Sequence, residues 1–130
     1  MTQEELINNM EQSGYIKNND ITVVEIEEGK KAVLKGIISD KSLNPYNVAH
    51  GGFIFGLGDT AMGVAAATTK RQAVTMSSTI NYLKPSIGSY LTAEAKVIKS
   101  GKSICYLQTN IYNDKKELVA TMDGNYFYIN

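Results

Sequence analysis

One carboxylate, Asp59, lies inside the run from Gly51 to Thr68, which is otherwise built almost entirely from apolar and small residues. A charge in such surroundings is costly unless it is paired, hydrogen-bonded or neutralised. Asp59 is therefore either a structural group held by hydrogen bonds or a working base or nucleophile. At the head of the run, His50-Gly51-Gly52 offers main-chain N–H groups on residues without side chains, a natural place to hold a developing oxyanion. A carboxylate and an anion-holding amide are two parts of an acyl-transfer site. In a helix, the eight positions from Gly51 to Asp59 span roughly 12 Å at about 1.5 Å per residue. One carbonyl carbon cannot touch both ends. Two copies of the helix lying antiparallel about a two-fold axis would bring Asp59 of one copy to the Gly51 amide of the other, giving two equivalent composite sites.

These residues must be positioned by the helix itself. The run is too long for an ordinary strand, lacks proline, and is apolar around almost its whole circumference, which predicts a helix buried on all sides over 51–68. Gly52, Gly56 and Gly63 each cost about 1 kcal/mol of helix propensity relative to alanine. Their presence predicts that another element, such as a wrapped sheet, approaches the helix backbone closely. Before this helix, Thr2 to Ser13 reads as a short helix capped by Thr2, carrying Leu6, Ile7 and Met10 as its apolar stripe and ended by Gly14. Ile21 to Glu27 and Lys31 to Ile38 read as a hairpin turned at Glu28-Gly29-Lys30, with a phase shift at Val23-Val24 that suggests a bulge. Ser39 to Ala49 is the loop into the buried helix.

Four strands follow: Val74 to Leu83, Tyr90 to Ile98, Ile104 to Tyr112 and Leu118 to Ile129. On the first, strict alternation places Val74, Met76, Ile80 and Tyr82 on one side and Thr75, Ser77, Thr79 and Asn81 on the other. The turns at Pro85 to Gly88, Ser100-Gly101-Lys102 and Asn113 to Lys116 make the last three strands an antiparallel meander. Helix, two strands, buried helix and four strands in that order indicate an α+β chain with one antiparallel sheet.

A chain of 130 residues is read as a single domain, able to bury enough surface to fold without staples. With 13 basic and 13 acidic residues, no global field draws it to nucleic acid or an anionic membrane, and neither partner is expected. Met1 to Leu6 is polar and acidic, unlike a signal peptide, and the apolar run contains Asp59 and several glycines, unlike a membrane span. A cytoplasmic location is expected. The single cysteine, Cys105, lies in a strand-like alternation and reads as a small core residue. His50 is the only histidine, so no metal cluster is expected.

The pattern Asn44, then His50-Gly51-Gly52, then Asp59-Thr60 in a small-residue helix, then Tyr82-Leu83-Lys84-Pro85 on a strand resembles the hot-dog-fold acyl-CoA thioesterases of the phenylacetate-degradation (PaaI) type. The resemblance covers nearly the whole chain in element order. It implies a hot-dog fold, a sheet curled around the central helix, and dimers joined edge to edge that often pair again into tetramers. It also implies hydrolysis of an acyl-CoA thioester with no resident cofactor, coenzyme A being part of the substrate.

Under this resemblance Asp59 is the catalytic carboxylate, as general base or nucleophile, and the Gly51 amide polarises the carbonyl beside Gly52. His50 is either a general base or a support for the loop. Asn44 either positions water or the thioester, or merely forms a turn before Pro45. Thr75 matches a hydroxyl that such enzymes place near the aspartate. Lys84, Lys99 and Lys102 can meet coenzyme A phosphates or be ordinary solvated lysines, and Tyr46, Phe53, Phe55, Tyr82 and Tyr90 can line an aromatic-acyl pocket or be plain core. The competing reading is a non-catalytic module that binds acyl-CoA or another small ligand, although this chain leaves no room for an output domain. A hot-dog hydratase is a weaker match, because its Asp and His pattern is absent.

Overall fold

The computed structural model describes residues 2–130; Met1, with which the polar amino terminus begins, lies outside them. Two short helices open the chain, α1 (Gln3–Glu11) and α2 (Gly14–Asn18). The Thr2 hydroxyl accepts the Glu5 N–H at 3.1 Å and so caps α1 as expected. Gly14 does not simply end a helix: with Ser13 as N-cap it begins α2, whose Ile16 is buried. The strands β1 (Ile21–Glu27) and β2 (Lys31–Ile37) pair antiparallel around Gly29, which takes a positive φ of 74°. The expected β1 irregularity lies between Val23 and Glu25. A short 3₁₀ turn over Asp40–Ser42 precedes α3 (Gly51–Ala67).

The remaining strands are β3 (Ala73–Tyr82), β4 (Tyr90–Ser100), β5 (Ile104–Asn113) and β6 (Leu118–Tyr128). All six strands form one antiparallel sheet in the order β1-β2-β4-β5-β6-β3. The meander β4-β5-β6 is as expected, and β3 crosses over to the far edge beside β6. The sheet curls around α3, which is the hot-dog fold. Ala93 and Ala95 on β4 are fully buried beside Leu91, and these small residues leave room for the helix. Phe53, Ile54, Leu57, Ala61, Met62 and Val64 of α3 fill the concave face together with Leu34, Leu107, Ile111 and Met122. Burying each large side chain of this kind contributes about 1.5–3 kcal/mol.

Two expectations for α3 need correction. The helix is not buried on all sides: Gly51, Gly52, Phe55, Gly56, Asp59, Thr60, Gly63 and Ala67 keep solvent exposure at helical spacing, so one face stays open. Apolarity around the whole circumference does not reveal which stripe the sheet leaves uncovered. Nor is the sheet what Gly52, Gly56 and Gly63 accommodate. A Cβ on Gly56 would lie 1.9 Å from the Tyr15 hydroxyl of α2, one on Gly52 would meet the His50 ring at 3.0 Å, and one on Gly63 would meet only Tyr126 at 3.8 Å. The glycine pressed by the sheet is Gly58, where a Cβ would come within 2.1 Å of the Met122 sulfur.

The faces of β3 also differ from strict alternation. Thr75 pairs with Tyr126, Ser77 with Asn125 and Tyr82 with Ala120, so Met76 is an extra residue in a bulge. Tyr126 and Ala120 are both buried and an even number of positions apart on β6, hence on the inner face. Thr75 and Tyr82 therefore both face the helix side, although their odd separation would otherwise put them on opposite faces. Val74, Ser77, Thr79 and Asn81 face outward.

Candidate active site

The bulge at Met76 gives Asp59 its partners. With Thr75 turned inward, its hydroxyl donates to Asp59 Oδ1 at 2.8 Å. Across the β3–β6 pair, the Tyr126 hydroxyl lies 2.5 Å from the same oxygen and 2.7 Å from the Asp59 main-chain carbonyl. Two hydroxyls thus fix Oδ1, and among the described residues Oδ2 carries no hydrogen bond. Asp59 is half-buried and lies on the open face of α3, against a cavity of about 1140 Å³. Burial, reinforced by the Asp59 carboxylate, pushes the Tyr126 phenol far above the usual tyrosine range. It remains a neutral donor at any ordinary pH.

Tyr126 had no place in the sequence reading. Its only signal is a polar-tipped aromatic at an inward position of β6, and the register that sets it opposite Thr75 is a tertiary fact.

The other end of α3 is built around its first turn. His50 is the N-cap, and its Nδ1 accepts the Gly52 N–H at 2.8 Å. The His50 main-chain N–H donates to Ser42 O at 2.7 Å, tying the helix entrance to the 3₁₀ turn. His50 is exposed, with its ring on the first turn of the helix. Because it takes the Gly52 amide, Gly51 keeps the available N–H: no acceptor among the described residues is bonded to it. The Tyr82 hydroxyl donates to Gly51 O at 2.7 Å, and burial pushes that phenol upward. Gly51, Val48, Ala49 and Tyr82 to Pro85 line a shallow hollow of about 420 Å³.

Asn44 is placed as a turn former. Its side-chain oxygen accepts the N–H groups of Tyr46 at 2.9 Å and Val48 at 3.3 Å, while its main chain closes the same loop. The lysines are not gathered in one chain. Lys84 lies beside the Gly51 hollow and pairs with Glu117 at 2.9 Å. Lys99 and Lys102 are exposed at the β4–β5 turn. That turn is joined to the far end of α3 through Arg71, whose guanidinium donates to Lys102 O at 2.9 Å. The five aromatics do not form a common pocket. Tyr46 is 83% exposed, Phe53 packs in the core, and Tyr90 lies under the Lys35 ammonium at 4.1 Å. Among the described residues no three His, Cys, Asp or Glu side chains come together as metal ligands would.

The chain therefore carries two groups at different points of one helix: an oriented carboxylate with one open oxygen, and a free helix-start amide beside His50 and Tyr82. Residues 46–120 match the family model of the thioesterase superfamily. The acyl-coenzyme A thioesterase PaaI of Escherichia coli K12 is 33% identical over 105 residues, which is 80% of this chain and 74% of that protein. The solved structure of the E. coli PaaI protein of the phenylacetic acid degradation operon has a TM-score of 0.89 at 30% identity, covering 95% of this chain and 89% of the other. A Streptococcus mutans UA159 protein solved bound to acetyl CoA has a TM-score of 0.78 at 33% identity, covering 83% of this chain and 87% of the other.

Proposed function

The chain belongs to the thioesterase superfamily, and from this we propose that it hydrolyses acyl-CoA thioesters in composite sites shared by two subunits. The observation that carries the reading is the Asp59 carboxylate, fixed through one oxygen by Thr75 and Tyr126 and open at the other. Oδ2 either takes a proton from the attacking water or attacks the carbonyl itself, forming an anhydride that water then opens. The negative charge that develops on the thioester oxygen is met by the Gly51 N–H of the other subunit, a donor of a kind worth about 3–4 kcal/mol in oxyanion holes. His50 and Tyr82 hold that amide in place, and coenzyme A leaves as the thiol. The similarity to E. coli PaaI, named for acyl-coenzyme A thioester hydrolysis, and to a structure holding acetyl CoA supports the substrate class.

Pairing of two chains has its own physical support. β3 is an edge strand that exposes Val74 at 49% and Met76 at 52%, an unpaired ladder that another strand would cover. The open face of α3 lies beside it. Two β3 edges paired antiparallel about a two-fold axis continue one sheet across both subunits and set the two α3 helices antiparallel. Such a dimer also carries the Lys99 and Lys102 end of one subunit toward the Lys84 end of the other, where a phosphate-bearing ligand would meet them together. A dimer of dimers extends the same proposal. Among the described residues no helix is long and apolar enough to cross a membrane.

Release of free thiol from acyl-CoA, with Asp59→Asn as control, tests the chemistry. Tight ligand binding without thiol release would favour the binding module. Mixing Asp59→Asn with Gly51→Pro tests the sharing of sites. Proline at the first helical position removes the amide proton and suits the helix start, although its Cβ would lie 3.2 Å from the Tyr82 hydroxyl, which must give slightly. A heterodimer of the two inactive variants regains one intact site if the sites are shared, whereas sites confined to one chain stay inactive in the mixture.

A further inference from the structure

Asp59 opens onto more space than the carbonyl chemistry requires. The cavity of about 1140 Å³ beside it runs between α1 and the open face of α3. Leu6 and Met10, one helical turn apart on α1, form one wall; Gly63 and Val64 of α3 form the opposite wall; Ile16 lies below. α1 is held by its attachments to β1, where the Gln3 side chain donates to Ile26 O and Glu11 accepts the Val23 N–H at 2.9 Å. Its Leu6, Ile7 and Met10 pack against the core but are only partly buried, and Leu6 and Met10 also line the cavity.

Gly63 is the informative residue. It lies one turn beyond Asp59, on the same face of α3. Unlike Gly56 and Gly58, which Tyr15 and Met122 crowd, Gly63 has no neighbour that demands a missing side chain: a Cβ there would meet only the Tyr126 ring, at an ordinary 3.8 Å. A glycine in mid-helix disfavours the helix, and here no contact within the chain accounts for it. What it keeps open is the cavity next to the carboxylate.

We propose that the space between α1 and α3 is the acyl pocket, that it takes an uncharged apolar acyl group of more than a few carbons, and that Gly63 sets its width. The proposal deepens the thioesterase reading and rests on it. The lining supports an uncharged group. Of the cations at the far rim, Lys70 is paired with Glu28 at 2.8 Å, and Arg71 donates to the main-chain carbonyls of Lys102 and Asn130 while stacking on Tyr128. Neither is set to receive an acyl carboxylate. The apolar side chains flank the path from Asp59 toward that rim, so a chain attached to the scissile carbonyl would exchange water for Leu6, Met10 and Val64.

The test compares kcat/KM for octanoyl-CoA, benzoyl-CoA and acetyl-CoA in the wild type, Gly63→Leu and Met10→Trp, with sedimentation to follow the assembly. The wild type is expected to prefer at least one of the bulky thioesters. Each variant, narrowing the pocket from a different wall, should lose that preference by roughly tenfold or more, the scale on which one or a few methylenes discriminate in a hydrophobic pocket. Gly63→Ala supplies a milder version if Gly63→Leu does not fold, and it should raise the thermal midpoint. A preference unmoved in folded variants of both walls overturns the pocket. So does a change in Gly63→Leu that appears only with loss of the assembly while Met10→Trp keeps the preference, because the glycine then serves subunit contact. Absence of thiol release from every thioester in the wild type instead removes the thioesterase reading itself, so the two failures are distinct.

Discussion

Replacing Tyr126 with phenylalanine removes one hydroxyl and leaves its ring packed near Gly63 and Gly124. The lost contacts are those to Asp59 Oδ1 at 2.5 Å and to the Asp59 carbonyl at 2.7 Å. A hydrogen bond to a charged group is worth about 1.5–3 kcal/mol net, and Thr75 still donates to the same oxygen at 2.8 Å. The lower part of that range therefore applies. The phenol is pushed far above its usual range, so it stays protonated and keeps its hydroxyl on Oδ1. At neutral pH kcat should fall by roughly tenfold from the loosened carboxylate, with KM little changed. The assay is continuous thiol release at neutral pH in Tyr126→Phe and Thr75→Ala, with circular dichroism to check the fold. An unmoved kcat in a folded Tyr126→Phe would refute the positioning of Asp59 by this phenol.

Other outcomes follow from the same packing. Gly58→Ala should destabilise the protein, because a Cβ 2.1 Å from the Met122 sulfur and 3.1 Å from Ile111 Cδ1 overpacks the core by about 1–3 kcal/mol, more than the ~1 kcal/mol alanine gains in helix propensity. Denaturant midpoints measure this, and Met122→Ala should cost less stability in the Gly58→Ala background than in the wild type, because the two side chains compete for one space. Cys105 is fully buried, and burial pushes its thiol upward, so the native protein should not react with Ellman's reagent near neutral pH and should release one equivalent once unfolded in guanidinium. Fast reaction of the native thiol would contradict that burial. Met76→Glu puts a charge on the β3 bulge, where Met76 is half exposed. Sedimentation should show the assembly weakened and activity lost with it, whereas an active monomer would argue against shared sites.

The order of α1, α3 and the six strands, the boundaries of α3 to within a residue, the first hairpin with its bulge and the final meander were legible in the amino-acid sequence, whereas α2 and the 3₁₀ turn were not. Each is a local matter of periodicity, turn residues and capping, physics that acts between residues close in the chain. The spacing of His50-Gly51-Gly52 and Asp59 likewise depended only on helix rise. Tertiary structure decided which face of α3 stays open and which glycine the sheet presses upon. It also decided how β3 is phased. Alternation alone grouped Thr75 with Ser77, Thr79 and Asn81, but pairing with β6 places an extra residue at Met76 and turns Thr75 inward toward Asp59. Tyr126 reached the same carboxylate from 67 residues away, through a register that only the packed sheet could set. A strand's phase and its partners are chosen by the surface it lies against, and that surface is assembled from segments distant in the chain.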